Sequence, residues 1–262
     1  MKKSICALFL MNFINPVFAL SNLSGVVETG TLVAVDKNKK PILLKGAPVT
    51  LEWCKTSDSS TMLAMQKSVL TLLAEVFADD ETRMLLLDDK FQLKKEYVDI
   101  VNVRFKDKPD ELNRFAASAH LDRKKRIEIS YDQWKKWFEK MSRTMKNFCF
   151  EYFFITAKDS NGNILGVVAF YSSSVLTKFS PKFSEYTAGD IVLDPIAVTP
   201  GARGLGLARA LVFSILTLAP QIKRILVSTR IWATKAQAVY KALGFSEYAR
   251  ESINVKFMYL NK

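Results

Sequence analysis

Between Val198 and Ala208 the chain reads Val-Thr-Pro-Gly-Ala-Arg-Gly-Leu-Gly-Leu-Ala, with apolar runs on both sides. A strand that enters a Gly-rich turn and leaves it as a helix presents the first backbone N–H groups of that helix without intrahelical partners. The helix dipole adds positive potential at the same point, and the combination suits an anion such as a diphosphate. Side chains at Gly204 and Gly206 would block close approach of the backbone, while Arg203 brings a full positive charge to the same mouth. Two other Gly-rich loops are excluded. The Gly-Lys-Ser/Thr step of a Walker loop is absent, and Gly204-Leu205-Gly206 lacks the third glycine of a dinucleotide fingerprint. With one histidine (His120) and no Cys-x-x-Cys, no metal site is expected.

Arg203-Gly204-Leu205-Gly206-Leu207-Ala208 resembles the cofactor motif of the GNAT superfamily of N-acetyltransferases, Arg/Gln-x-x-Gly-x-Gly/Ala. Ile196-Ala197-Val198-Thr199-Pro200 is similar to the strand that leads into it. Ala236-Gln237-Ala238-Val239-Tyr240-Lys241-Ala242-Leu243-Gly244-Phe245 is similar to the family's second motif, Ala-x-x-apolar-Tyr-x-x-x-Gly-Phe. The resemblance implies acetyl-CoA as cosubstrate and direct transfer of the acetyl group to a primary amine in a ternary complex. It implies that Ile196, Ala197 and Val198 form the strand beside the thioester, with the Ile196 and Val198 amides as an oxyanion-hole-type device. It places the diphosphate on residues 203–208 and makes Tyr240, near the sulfur, the general acid. The position where the family often carries a glutamate base aligns with Val192, so Asp190 or Asp194 would act through water. In a regular strand residues two apart share a face, so Asp190, Val192, Asp194 and Ile196 are expected to point together. The asparagine often found three residues before the second motif is Ala233 here. A non-catalytic acyl-CoA-binding or interaction module on the same fold is the alternative.

These residues need a scaffold, and the patterning supplies one. Strands are expected at Pro48–Lys55, Phe150–Ala157, Ile164–Ser172, Ile191–Val198, Ile225–Thr229, Phe245–Ala249 and Val255–Leu260. Asp159-Ser160-Asn161-Gly162-Asn163 is a tight hairpin turn. Helices are expected at Met62–Phe77 after a cap at Asp58-Ser59-Ser60, at Leu93–Val103, at Tyr131–Met145 with a Trp-rich face, at Gly206–Leu218, and at Thr234–Leu243 capped by Gly244. The order predicts an α/β (α+β) fold, and the resemblance implies a mixed, mostly antiparallel central sheet flanked by helices. The expected organisation is a β-hairpin extension over residues 20–46, then the acetyltransferase-like domain over 47–262, with an enlarged helical segment at about 81–147.

Composition is that of a chain with a substantial core: of 262 residues, 49% are hydrophobic and 24% charged. The formal net charge of +12 favours anionic partners. No specific nucleic-acid motif accompanies it, and Arg123-Lys124-Lys125-Arg126 reads as a solvated face. Lys2 and Lys3, the apolar run from Ser4 to Ile14 and Val17-Phe18-Ala19 read as a signal peptide over residues 1–19. Export to a periplasmic or extracellular location follows if it is cleaved, and a cytoplasmic location if not. Cleavage would leave Cys54 and Cys149, either as a disulfide pair or as two buried thiols. No other apolar run is long enough to span a membrane. The amine acceptor and the oligomeric state have no signature in the chain.

Overall fold

A computed structural model describes residues 29–55, 59–81, 86–88, 90, 92–105, 121–148, 152–172, 189–248 and 255–261. In chain order the elements are β1 (Thr29–Val33), β2 (Leu43–Leu44), β3 (Ala47–Pro48), β4 (Thr50–Lys55), α1 (Ser59–Glu81), α2 (Val98–Phe105), α3 (Arg123–Phe148), β5 (Phe153–Lys158), β6 (Ile164–Ser172), β7 (Asp190–Val198), α4 (Leu207–Leu218), β8 (Arg224–Arg230), α5 (Thr234–Ala242), β9 (Ser246–Tyr248) and β10 (Val255–Asn261). Single 3₁₀ turns at Lys95–Tyr97 and Pro200–Ala202 precede α2 and α4.

Eight strands form one sheet in the order β1-β4-β5-β6-β7-β8-β10-β9, and β2 pairs with β3 apart from it. Among the described residues only β7 and β8 run parallel. Their crossover is α4, as a parallel connection requires. The β5–β6 hairpin closes as its residues dictate. Asp159 Oδ1 accepts from the amides of Asn161 and Asn163 at 2.9 Å each, and Gly162 takes a φ of 80°. The Asp36-Lys37-Asn38-Lys39-Lys40 turn uses the same device, with Asp36 Oδ1 accepting from Asn38 and Lys40.

The sheet is covered on both faces. Leu207, Leu211 and Ile215, one stripe of α4, pack with Ile155, Val168, Phe170, Ile191, Leu193 and Ile225. At about 2 kcal/mol for each fully buried aliphatic side chain, this stripe anchors the helix that carries the Gly-rich turn. Gly166 makes the close approach possible, because a Cβ there would lie 3.0 Å from the Ala197 carbonyl and 3.1 Å from Leu211 Cδ1. On the opposite face Val69, Leu70 and Leu73 of α1 and Trp134 and Phe138 of α3 pack on Phe154, Val167, Ala169, Tyr171 and Val192. The Trp-rich stripe of α3 is therefore core. The run at Arg123 is its first turn, with Asp122 Oδ1 accepting from Lys125 N at 2.7 Å, and Arg126 Nε reaches Asp79 on α1 at 3.0 Å. A smaller cluster of Leu86, Leu87, Val101 and Trp232 seats α2 beside the end of β8.

Two findings differ from the sequence reading. Thr29–Val33 pairs with β4 over the register Thr29↔Cys54 to Val33↔Thr50, so it is the edge strand of the main sheet. Only the single bridge Val35↔Pro41 spans the Asp36 turn. Buried Ala34, Ile42 and Val49 join this region to the core around α4, which an independent hairpin would not do. Helix α3 also begins eight residues earlier than the apolar stripe indicates, at the Asp122 cap. The signal-peptide segment, the Asp58 cap, His120 and Cys149 lie outside the described residues, and Cys54 is buried. Among the described residues no helix is long and apolar enough to cross a membrane.

Candidate active site

The Gly-rich turn leaves a row of backbone amides exposed at the start of α4. Gly204 and Gly206 take φ values of 82° and 86°, the left-handed region that a residue with a Cβ enters only with strain. Gly206 is the N-cap residue of α4, and its carbonyl accepts from Ala210 N at 3.0 Å. The backbone N–H groups of Gly206, Leu207, Ala208 and Arg209 donate to no acceptor among the described residues. They are the free donors of a helix start. No acidic residue stands in that first turn to satisfy them. The side chain of Leu207 is core, so its share in the site is its amide. Arg203 is exposed, and its Nε donates to the Val198 carbonyl at 3.3 Å, which ties the charge to the end of β7.

Beside this turn the sheet splits. The parallel register of β7 with β8 runs from Asp190↔Arg224 to Leu193↔Val227 and ends there. The next residues are Asp194 and Pro195, joined by a cis peptide bond, and Pro195 has no N–H to continue a ladder. β7 stays paired on its other side, with Ile196, Ala197 and Val198 opposite Val168, Val167 and Gly166. Thr199 N donates to Leu165 O at 2.8 Å. Because antiparallel pairs alternate, Ala197 also turns its N–H to β6, whereas Ile196 and Val198 turn theirs away from β6, into the gap beside β8. The two amides expected at a thioester thus line an opening between strands, next to the free N–H groups of α4.

Tyr240 stands on α5, the helix that follows β8. It is buried, its ring centroid is 5.5 Å from that of Phe245, and its carbonyl accepts from Phe245 N at 3.0 Å as α5 ends at Gly244 (φ 94°). Gln237, one turn earlier on the same face, donates from Nε2 to the carbonyls of Arg230 and Ile231 at 2.9 Å each and pins α5 to the end of β8. Ala233, where the family often has asparagine, is the N-cap residue of α5 and provides no side-chain cap. Burial raises the Tyr240 hydroxyl above the usual tyrosine range, and the negative charge of Asp194 adds to the shift. The phenol therefore stays protonated at neutral pH. Tyr152 is also raised well above that range, by burial first and then by Asp194 and Tyr171. Asp194 is thus a half-buried carboxylate whose field reaches two buried tyrosines.

Asp190 is placed differently. It is fully buried at the start of β7, and Arg224 binds both its oxygens, Nε to Oδ1 at 2.9 Å and Nη2 to Oδ2 at 2.5 Å. Four residues of strand, about 13 Å, separate it from Asp194. The expectation that Asp190, Val192, Asp194 and Ile196 share one face is also corrected. Phe170 stands opposite Leu193 but Val168 opposite Ile196, so β7 carries an extra residue against Ala169. Such a bulge reverses the side-chain alternation beyond it. Val192 consequently packs on the α1/α3 face and Ile196 on the α4 face. Sequence reasoning missed Gln237, for which a glutamine at i−3 from Tyr240 on an otherwise apolar helix face was a usable signal.

Residues 122–245 match the family model described as acetyltransferase (GNAT) family. No curated protein sequence matches the chain. Among solved structures, an acetyltransferase from Thermus thermophilus is similar over 52% of this chain and 75% of its own, at 12% identity and a TM-score of 0.38. A variant of the spermidine N-acetyltransferase from Vibrio cholerae is similar over 50% of this chain and 73% of its own, at 18% identity and a TM-score of 0.35. The segment that matches this family model holds the strand lead-in, the glycine turn and the helix of Tyr240, and so the whole of the candidate site.

Proposed function

We propose that the protein transfers the acetyl group of acetyl-CoA directly to a primary amine. The observation that carries this reading is the adjacency of two donor sets: the free amides of Gly206 to Arg209 and the amides of Ile196 and Val198 turned into the β7–β8 opening. The first set, with Arg203, receives the diphosphate. The second polarises the thioester carbonyl and stabilises the oxyanion that develops on it. The amine nitrogen attacks the carbonyl carbon, so a C–N bond forms and the C–S bond breaks. Asp194, directly or through one water, takes the proton that the nitrogen sheds. Tyr240, held protonated by burial, gives its proton to the departing thiolate. Asp190 serves the fold through Arg224 and takes no part in the chemistry.

The test is release of free CoA from acetyl-CoA with purified protein and a panel of butylamine, ethanolamine, spermidine and a lysine-containing tetrapeptide. Amine-dependent release with formation of the acetylated amine supports the reading. Tight binding of acetyl-CoA with no release above hydrolysis for any amine would favour a binding module instead.

A further inference from the structure

The N-terminal β corner reaches the Gly-rich turn, and backbone pairing fixes how. Ala34 N donates to Val49 O at 2.8 Å, Ile42 N to Ala34 O at 2.8 Å and Val49 N to Ile42 O at 2.9 Å. The three bonds close a ring in which each residue gives one and accepts one. The turns at Asp36 and at Lys45-Gly46, where φ is 51° and 83°, bring the three segments together. Strand alternation sends Val33, Val35 and Leu43 outward, where they are exposed, and Ala34, Ile42 and Val49 into the core around α4. Ile42 is β-branched and tied at both its N–H and its C=O, so its side chain has few rotamers open to it. Among the described residues, Ile42 Cδ1 is the only atom of another segment within 4 Å of the place a Gly206 Cβ would take, at 3.8 Å. Gly206 has no side chain with which to brace the turn it occupies, and α4 has no side-chain cap.

We propose that Ile42 is a positioning residue for the cofactor turn: the β corner holds its Cδ1 against Gly206 and so keeps the amides of Gly206 to Arg209 aimed at the diphosphate. This rests on the reading that acetyl-CoA binds at that turn. Glycine has no steric preference of its own for φ near 86°, so a contact from outside the turn narrows the conformations it samples. Ile42 precedes residues 122–245, the segment that the family model matches, so the brace comes from a part of the chain outside that segment. An apolar contact behind the turn acts on how well the cofactor is held and not on the transfer step, and its effect falls on Kd and KM.

The experiment compares Ile42→Val, which deletes only Cδ1, with Val49→Ala, which takes a larger group from the same ring. Calorimetric titration with CoA, steady-state kinetics with the best amine of the panel above and thermal melts are run on both, and on Ile42→Met, which restores the reach of the side chain. Ile42→Val should weaken CoA binding and raise the KM for acetyl-CoA about 3- to 10-fold, the loss expected for one packed methyl group. Its kcat at saturation should stay within about 2-fold of wild type. Ile42→Met should recover most of the affinity. Val49→Ala should lower the melting temperature further than Ile42→Val and yet leave CoA affinity within about 2-fold. Wild-type affinity in Ile42→Val, no recovery in Ile42→Met, or an equal loss in Val49→Ala would overturn the proposal, the last by marking the effect as general packing. If wild type itself takes up no CoA, or Gly206→Ala binds it as tightly as wild type, the reading of the turn fails instead, and the two failures are told apart.

Discussion

Replacing single glycines of the turn by alanine separates backbone shape from steric space. At Gly204 an added Cβ would meet nothing within 4 Å, and at Gly206 only Ile42 Cδ1 at 3.8 Å, an ordinary contact. The protein itself therefore leaves room for the methyl group, and the penalty comes from the left-handed φ at both positions. That penalty is about 1–2 kcal/mol for an L residue. For a chain of this size it corresponds to a fall of roughly 2–8 °C in melting temperature. Gly201 is the internal control: it lies in the 3₁₀ turn, meets nothing within 4 Å and is not in the left-handed region, so Gly201→Ala should be near neutral. If the turn escapes strain by leaving φ near 85°, the amides of Gly206 to Arg209 turn away from the bound diphosphate. Loss of one or two charge-assisted hydrogen bonds weakens binding about 10- to 1,000-fold. Calorimetric titration with CoA and thermal melts on the three variants measure both effects. The reasoning is refuted if Gly204→Ala and Gly206→Ala bind CoA as tightly as Gly201→Ala.

Three further outcomes are expected. Tyr240→Phe should reduce kcat by about 100- to 10,000-fold, as expected for loss of a general acid, with the KM for acetyl-CoA little changed in steady-state kinetics. Asp190→Asn should lower stability by about 2–4 kcal/mol, because it leaves the Arg224 guanidinium against an uncharged buried partner. The kcat of the folded fraction should stay near wild type, the reverse of Asp194→Asn. Stability should fall as pH rises above about 10. The native state holds the Tyr240 and Tyr152 protons more tightly than the unfolded chain does, so their contribution is complete below the unfolded pKa and is lost above it. Urea midpoints measured between pH 8 and 11 should show the decline, and Tyr240→Phe should make it shallower.

The turn, the strand before it and the helix of Tyr240 were legible in the sequence because each is specified locally. Glycines at 204, 206 and 244 demand left-handed backbone, and the apolar spacing of α4 shows on its own which face is buried. What was not legible depends on pairing between distant segments. Whether Thr29–Val33 folds back on a hairpin or joins β4 is decided by the register of a partner twenty residues away. The different surroundings of Asp190 and Asp194 need the β8 register, which sets Arg224 beside the first. They also need the bulge opposite Ala169, since a single extra residue reverses which side chains face which helix. Period-two reasoning along one strand cannot detect that residue.

The central claim is that the free amides of the α4 start and those of Ile196 and Val198 receive acetyl-CoA. Backbone amide resonances of isotopically labelled protein, followed during titration with CoA, report on those groups individually. The account predicts that Gly206, Leu207, Ala208 and Arg209, together with Ile196 and Val198, show the largest shifts and saturate with one ligand per chain. Saturable binding that leaves these amides unmoved while others shift would contradict it.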